Sequence, residues 1–452
     1  MHLFGWFLFF IVLTQQIESP NRTWVLVECV VVAFGGAFSL SRILRAGAWS
    51  PASLFYIVLA LFHLGLVPAW IFGIDPYFTR AFDYVWFSGP IATQSLMIVL
   101  LAMVSYLLGV ALYVTFRPSQ SDTSVLETLA EEQQDARSAV FAAAGAVLAI
   151  AGVVAWVVIG LSAGGVKIFT SSYFTWLRLT GDSPAISSAY TAIAVGLGLA
   201  VIRRSSRVVK IALMVFAAYA CVAFFIGLRG EVLYPIAVAA SVMAFTRRMP
   251  RTVTTALAVV IVLLLINVAK IVRQVGVAGG AIDWRSADPL SALLEMGSTL
   301  RVVATTVIWH NVNGEPFMHG ATYTVSLARA MEALFNPSAR PPATLDFRLM
   351  NSEVAARAGQ IGGSAIGEAF HNFSILGVVI VFAIFGLLFG YFSSMRLNAT
   401  RIAVYVCFAV PVFNHIRNAF VAVIPIFLLG LVFVLLARIW SGILRKQSQG
   451  TG

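Results

Sequence analysis

The chain has 452 residues, of which 60% are hydrophobic and 11% charged, whereas a soluble domain carries about 25% charged residues. A formal net charge of +11 would suit a nucleic-acid-binding protein only if the basic residues formed one solvated surface, and here they are scattered between apolar runs. The composition therefore excludes an ordinary soluble domain and a nucleic-acid partner, and it predicts a chain embedded in a lipid bilayer.

About a dozen apolar runs are long enough to cross, or nearly cross, a hydrocarbon core of about 30 Å. The runs at 3–13 and 232–246 are short, so eleven spans are the alternative. We therefore predict an all-α polytopic membrane protein with about twelve transmembrane helices. The runs are 3–13, 24–41, 53–73, 92–116, 138–160, 185–202, 208–227, 232–246, 252–272, 373–394, 400–416 and 420–440.

The segments between these runs are alternately rich and poor in lysine and arginine. Rich junctions include 42–45, 203–210 and 247–251, and the short loops between them are poorer in positive charge. Because positive residues collect in cytoplasmic loops, the pattern predicts an inner (cytoplasmic) membrane protein with both termini in the cytoplasm. It places the long segment 273–371 on the periplasmic side.

Three regions follow from this topology. The first, 1–272, is an N-terminal transmembrane bundle of about nine spans with a cytoplasmic linker at 117–137. The second, 273–371, is a large helical periplasmic loop. In it, Asp288-Pro289 is typical of a helix start, and 290–309 and 322–335 have helical spacing. The third, 372–452, holds the C-terminal spans and a cytoplasmic tail.

Gly227 to Glu231 form a tight turn between two spans. The glycines beside Arg229 allow a ligand to approach the backbone, and its guanidinium offers a planar fork for phosphate. Glu231 is a candidate base. The alternative is an Arg229–Glu231 pair that anchors the turn at the membrane interface.

Two further groups of polar residues border predicted spans. Lys270 and Arg273 lie one helical turn apart, where they could bind an anion or anchor the helix by snorkelling. His415 and Arg417 interrupt two apolar runs. Arg417 is a second candidate anion contact, with interface anchoring as the alternative.

Glu368, His371 and Asn372 follow a glycine-rich turn and precede an apolar run. If a helix begins near Ile366, the three residues share one face. A carboxylate beside an imidazole is a plausible general base with an orienting partner. The alternative is that Glu368 interacts favourably with the dipole at the start of the helix.

The sequence contains neither a Walker A motif nor a GxGxxG motif, and no histidines or acidic residues have metal-ligand spacing. We therefore expect a site without a nucleotide cofactor or a metal.

Four segments, in this order, resemble a known family. They are the Gly-x-Arg-Gly turn at 227–230, the loop segment 316–323, the segment 362–373 and the late segment 416–420. Over roughly residues 220–425 the chain resembles the Wzy-type O-antigen or oligosaccharide repeat-unit polymerases of bacterial inner membranes. It departs from them at Ser374, where the family often has glycine, and Arg340 matches the family's Pro-Arg motif only loosely.

The resemblance implies a metal-independent glycosyltransferase on the periplasmic face. Its donor and acceptor would be undecaprenyl-pyrophosphate-linked oligosaccharides, and a chain-length regulator protein is a further expected partner. Arg229, Arg273 and Arg417 would hold the pyrophosphate. Glu368, oriented by His371, would accept the proton of the attacking hydroxyl. The other candidate contacts to pyrophosphate or glycan are Lys270, Asn372 and His415.

Other functions remain open at this stage. An O-antigen ligase would use the same carrier but transfer the glycan to lipid A core. A transporter or lipid flippase would place polar residues at mid-bilayer depth, whereas the strong polar groups here border the outer ends of the spans. A non-catalytic assembly partner would tolerate replacement of the outer arginines.

Overall fold

The computed structural model is helical, and no β-strand occurs among the residues that it describes. The described residues are 2–17, 20–74, 81–117, 127–171, 173–180, 183–203, 206–246, 249, 289–336, 341–342, 345–394 and 399–449. The α-helices are His2–Gln15, Arg22–Val30, Gly36–Ile43, Pro51–Leu64, Val67–Phe72, Ala81–Ser88, Pro90–Phe116, Glu127–Gly164, Tyr173–Thr180, Pro184–Ala200, Arg207–Ile226, Gly230–Thr246, Pro289–Gly297, Leu300–Val307, Ala321–Phe335, Met350–Ala358, Ala365–Ser394, Ala399–His415 and Val423–Gln449.

Seven helical segments in the described part are long and apolar enough to cross a membrane. This finding confirms the all-α polytopic class, while the number twelve stays a prediction and the run 252–272 lies outside the described residues. The seven segments are Arg22–Ile43, Pro90–Phe116, Ser138–Gly164, Arg207–Ile226, Ala292–Val312, Ala365–Ser394 and Phe420–Ile439.

The predicted linker and loop contain more helix than the sequence indicated. Glu127–Gly164 is one helix of 38 residues, so the end of the acidic linker continues directly into a span. The helix predicted over 290–309 is divided at Ser298–Thr299. Its two parts, Pro289–Gly297 and Leu300–Val307, overlap the segment Ala292–Val312. That segment has the length and composition of a membrane span. The periplasmic placement of 273–371 stays a prediction.

The chain forms two compact units, each assembled from three stretches. The first unit is Met1–Pro118, Leu293–Met395 and Val412–Pro425, and the second is Ser119–Ala292, Arg396–Pro411 and Ile426–Gly452. In the second unit, a Cβ added at Gly196 would lie 2.4 Å from the Ala149 nitrogen. Glycine therefore allows the helices Glu127–Gly164 and Pro184–Ala200 to approach closely, as small residues do in membrane bundles.

The first unit has the same kind of packing between its two long helices. A Cβ added at Gly386 would lie 2.2 Å from the Tyr106 carbonyl oxygen, and one added at Gly109 would lie 2.3 Å from the Ala383 carbonyl oxygen. Beside this contact, Phe55 stacks on Phe389 with ring centroids 4.5 Å apart. This close packing fixes Ala365–Ser394 against Pro90–Phe116.

Ala365–Ser394, here called the broken helix, is interrupted at Phe373 and Ser374. Ser374 has φ 60° and ψ −155°, a region occupied almost only by glycine. Gly377 accommodates the break, because a Cβ there would lie 2.7 Å from the Ala369 carbonyl oxygen. The chain thus keeps the break although serine stands where the resembling family often has glycine.

We predict that Ser374→Gly stabilises the protein. Glycine adopts the observed backbone angles without the strain of about 1–3 kcal/mol that other residues have there. Thermal unfolding in detergent should shift to higher temperature. Ser162→Gly, in the regular part of a helix, is the matched control and should lower stability slightly. Equal destabilisation by both changes would contradict the interpretation.

Candidate active site

The glycine-rich turn positions the start of the broken helix. Gly362 has φ 84°, and a Cβ added at Gly363 would lie 2.7 Å from the backbone of Asn418. The Gly363 N–H donates to the Arg417 carbonyl at 2.9 Å. These contacts require glycine, and they join the turn to the late polar segment 416–420.

Ser364 ends this turn and caps the helix. Its hydroxyl oxygen accepts from the Gly367 N–H at 3.1 Å and lies 2.8 Å from Nε2 of His63. Because Nδ1 of His63 faces the Leu59 carbonyl at 3.1 Å, Nδ1 carries the proton and Nε2 accepts from Ser364. Ser364, with its hydroxyl held by His63, thus occupies the capping position.

Glu368 lies four residues into the broken helix and is completely buried. Its Oε2 accepts from the Phe420 N–H at 2.7 Å and lies 3.9 Å from Nδ1 of His415. Its Oε1 makes no hydrogen bond of ordinary geometry with a described residue. The carboxylate thus binds another segment instead of capping its own helix.

Asn372 connects the broken helix to the loop before the Ala321–Phe335 helix. Its Oδ1 accepts from the Gly320 N–H at 2.9 Å, and its Nδ2 donates to Thr322 at 2.7 Å and to the Glu368 carbonyl at 2.8 Å. The oxygen and the nitrogen of the side-chain amide therefore both form hydrogen bonds within the protein. This geometry favours a positioning role over the substrate contact expected from the sequence.

His371 points away from Glu368 toward a second group of polar side chains. Its Nδ1 lies 2.9 Å from Nε2 of His310, and its Nε2 lies 3.1 Å from Oε2 of Glu353. Nδ1 of His310 in turn faces the Glu315 carbonyl at 2.8 Å. His371 is therefore oriented by other residues, and the structure places His415, not His371, beside Glu368.

Arg357 closes this group into a ring. Its guanidinium donates to Glu353 Oε1 at 2.8 Å and to both carboxylate oxygens of Glu315. It also lies 4.1 Å from the centroid of the Trp309 ring. The Arg357 guanidinium lowers the pKa of the Glu315 carboxyl. The ring consists of Glu315, Arg357, Glu353, His371 and His310, and we call it the histidine network.

Within the histidine network, Arg357 joins the two carboxylates, and His310 joins His371 to the Glu315 carbonyl. The contact between His371 Nε2 and Glu353 Oε2 closes the ring, although neither atom makes a hydrogen bond of ordinary geometry with a described residue. No group of His, Cys, Asp or Glu in the described chain could hold a metal ion.

The other predicted site residues lie in separate places. Arg417 is half-buried with its guanidinium 5.8 Å from the Phe62 ring centroid, and it forms no ion pair with a described residue. Arg229 is buried in the second unit, after Gly227 ends a helix with φ 100°. Glu231 follows in the first turn of the helix Gly230–Thr246. Lys270 and Arg273 lie outside the described residues.

Sequence reasoning missed several members of the site. His310, Glu353 and Arg357 were not among the candidate site residues. The i,i+4 spacing of Glu353 and Arg357 on the Met350–Ala358 helix was the available signal. It predicts an ion pair but gives no indication that His371 lies against it.

The fold and the buried acid–histidine groups define a class, the multi-pass helical membrane proteins with a polar site at the end of a broken helix. The profile of the O-antigen polysaccharide polymerase Wzy family matches residues 2–447. The chain therefore belongs to this family of polysaccharide polymerases, as the resemblance predicted.

The chain is also similar over part of its length to a curated protein. The chain is 24% identical over 206 residues to Protein CapE of Staphylococcus aureus, a match that covers 45% of this chain and 44% of that protein. The matched region thus spans less than half the length of the relative. No solved structure matches the chain.

We predict that Glu353→Gln destabilises the protein by about 3 kcal/mol, because it breaks the ion pair between Arg357 and the buried Glu353 carboxylate. Thermal unfolding in detergent measures the change. Glu332→Gln is the matched control, since Glu332 pairs with Arg348 at 2.8 Å nearer the surface and should change stability little. Equal effects of the two substitutions would argue against a stabilising role of the buried Glu353 carboxylate.

Proposed function

We propose that this chain polymerises undecaprenyl-pyrophosphate-linked oligosaccharide repeat units into O-antigen or a similar surface polysaccharide. The reaction takes place on the periplasmic face of the bacterial inner membrane. Membership of the polymerase family supports the reaction class. The observation that carries the proposal for this site is the burial of Glu368 beside the late polar segment, without a lysine or arginine ion pair in the described chain.

In the proposed reaction, a sugar hydroxyl of the acceptor repeat unit attacks the anomeric carbon of the donor glycan. The new glycosidic bond forms as the bond from that carbon to the pyrophosphate oxygen breaks. Glu368 accepts the proton of the attacking hydroxyl, because a buried carboxylate without a cationic partner readily takes up a proton. The sugar–pyrophosphate bond provides the energy, so no nucleotide cofactor is needed.

Arginines are proposed to hold the leaving pyrophosphate. Arg417 is suited to this role because its half-buried guanidinium has no ion pair in the described chain and lies beside the glycine-rich turn. Arg229, Arg273 and Lys270 remain candidates from the sequence. Guanidinium groups stabilise the charge that develops on the leaving group.

We predict that Glu368→Gln lowers turnover by about 10²–10⁴-fold, since it removes the proton acceptor but keeps the size of the side chain. Polymer formation by the purified protein from carrier-linked repeat units is the measurement, with carrier-lipid binding determined in parallel. Binding should change little.

Glu231→Gln is the control for this assignment, and it should leave most activity intact. Near-normal turnover of Glu368→Gln together with loss in Glu231→Gln would move the base to Glu231. Lost binding with unchanged turnover at saturation would make Glu368 a substrate-positioning residue.

We also predict that Arg417→Lys and Arg229→Lys lose most polymer formation while the protein accumulates normally in the membrane. Lysine keeps the charge but lacks the planar fork for two oxygens. Arg348→Lys is the control, because Arg348 is engaged with Glu332 and Asp346. Near-normal polymer from either lysine variant would remove that arginine from the proposed pyrophosphate site.

A further inference from the structure

Phe420 lies at the centre of a group of buried polar atoms on one side of the broken helix. Its N–H donates to Glu368, and its ring meets His415 edge-on with centroids 5.4 Å apart. Tyr323, on the Ala321–Phe335 helix, meets the same ring edge-on at 4.9 Å. Three different segments therefore bring Glu368, His415 and Tyr323 together.

Three polar atoms of this group are buried without a hydrogen-bond partner in the described chain. They are the hydroxyl of Tyr323, Nε2 of His415 and Oε1 of Glu368. A buried polar atom without a partner is destabilising and uncommon in native proteins. A ligand that supplies the missing hydrogen bonds accounts for all three atoms.

The protonation of these groups defines the ligand they suit. Nδ1 of His415 donates to the Asn418 carbonyl at 2.9 Å, so Nε2 of the neutral ring is an acceptor. Burial, and then the charge of Glu368, raise the pKa of the Tyr323 hydroxyl well above its usual value, so this hydroxyl stays a donor. The site thus offers two acceptors, Glu368 and His415, and one neutral donor, Tyr323.

Two hydrogen-bond acceptors beside one neutral donor suit a sugar hydroxyl and disfavour an anion. A hydroxyl donates one hydrogen bond and accepts others, whereas a pyrophosphate has no proton to give to a carboxylate or an imidazole lone pair. Glu368 also has no lysine or arginine ion pair in the described chain. A pyrophosphate placed here would meet like charge without a cation beside it.

We propose that Tyr323 and His415 complete a subsite with Glu368 that binds the hydroxyl-bearing acceptor sugar, and that the pyrophosphate binds elsewhere. The inference rests on the proposed function and assigns His415 to the glycan only. Tyr323 donates to an acceptor hydroxyl oxygen, while Glu368 and His415 accept protons from the hydroxyls. Tyr323 as a whole residue is only half-buried, so the subsite adjoins the surface of the chain.

Tyr323→Phe tests this subsite, because it removes one oxygen and keeps the packing of the ring against Phe420 and Phe373. The probes are the repeat-unit oligosaccharide, released from its carrier by mild acid, and inorganic pyrophosphate, each titrated into the purified full-length chain. Oligosaccharide binding should weaken by roughly 3- to 10-fold, as for one lost hydrogen bond, and pyrophosphate binding should not change.

Tyr106→Phe is the matched control, because it removes a buried hydroxyl that donates to the Ala52 carbonyl at 2.9 Å. It should leave both affinities unchanged. Arg417→Lys should give the reverse of the Tyr323→Phe pattern, with weaker pyrophosphate binding and unchanged oligosaccharide binding. Unchanged oligosaccharide binding by Tyr323→Phe, or weakened pyrophosphate binding, overturns the subsite.

Polymer formation separates this inference from the function on which it rests. If the wild-type protein makes polymer but Tyr323→Phe binds the oligosaccharide normally, the subsite is refuted and the polymerase function stands. If the wild-type protein makes no polymer but Tyr323→Phe weakens oligosaccharide binding as expected, the polymerase function is refuted and the subsite stands.

Discussion

The break at Phe373–Ser374 is the constraint on which the candidate site depends. In an unbroken helix, the carbonyls of His371 and Asn372 would accept from their own helix. Here they accept from the N–H groups of Met318 and His319 at 3.1 and 3.0 Å. The break therefore fastens the loop before the Ala321–Phe335 helix to the residues that follow Glu368, and it brings Thr322 and Tyr323 to that carboxylate.

The short helical segment before the break serves two different polar environments. Glu368 contacts Phe420 and His415, whereas His371, one turn later, contacts His310 and Glu353. In the first group, Glu368 has no lysine or arginine ion pair in the described chain. In the second group, Arg357 pairs with both Glu315 and Glu353, which is typical of a structural support. We infer that the histidine network holds the segment rigid while Glu368 remains available for chemistry.

The sequence predicted much of this arrangement, and the reasons for its omissions are local. Gly362 and Gly363, the helix start near Ile366 and the helix over 322–335 were all recognised, because turn residues and helical spacing leave a clear local pattern. The orienting partner of Glu368 was not recognised. His371 has the right spacing on one helix, but His415 reaches Glu368 from a segment about fifty residues away. The division at Ser298–Thr299 was also missed, because the close approach of Gly297 to Leu66 involves distant segments.

The sequence by itself determined the membrane class, the helical content and the family, and it predicted the chemical types of the candidate site residues. These properties depend on hydropathy, on spacing within one element and on motifs, which are all local. Only the tertiary structure decided that His371 joins His310 and Glu353, and that Tyr323 and His415 join Glu368. A buried polar atom takes its partner from whichever segment packs against it, and that choice depends on contacts between distant parts of the chain.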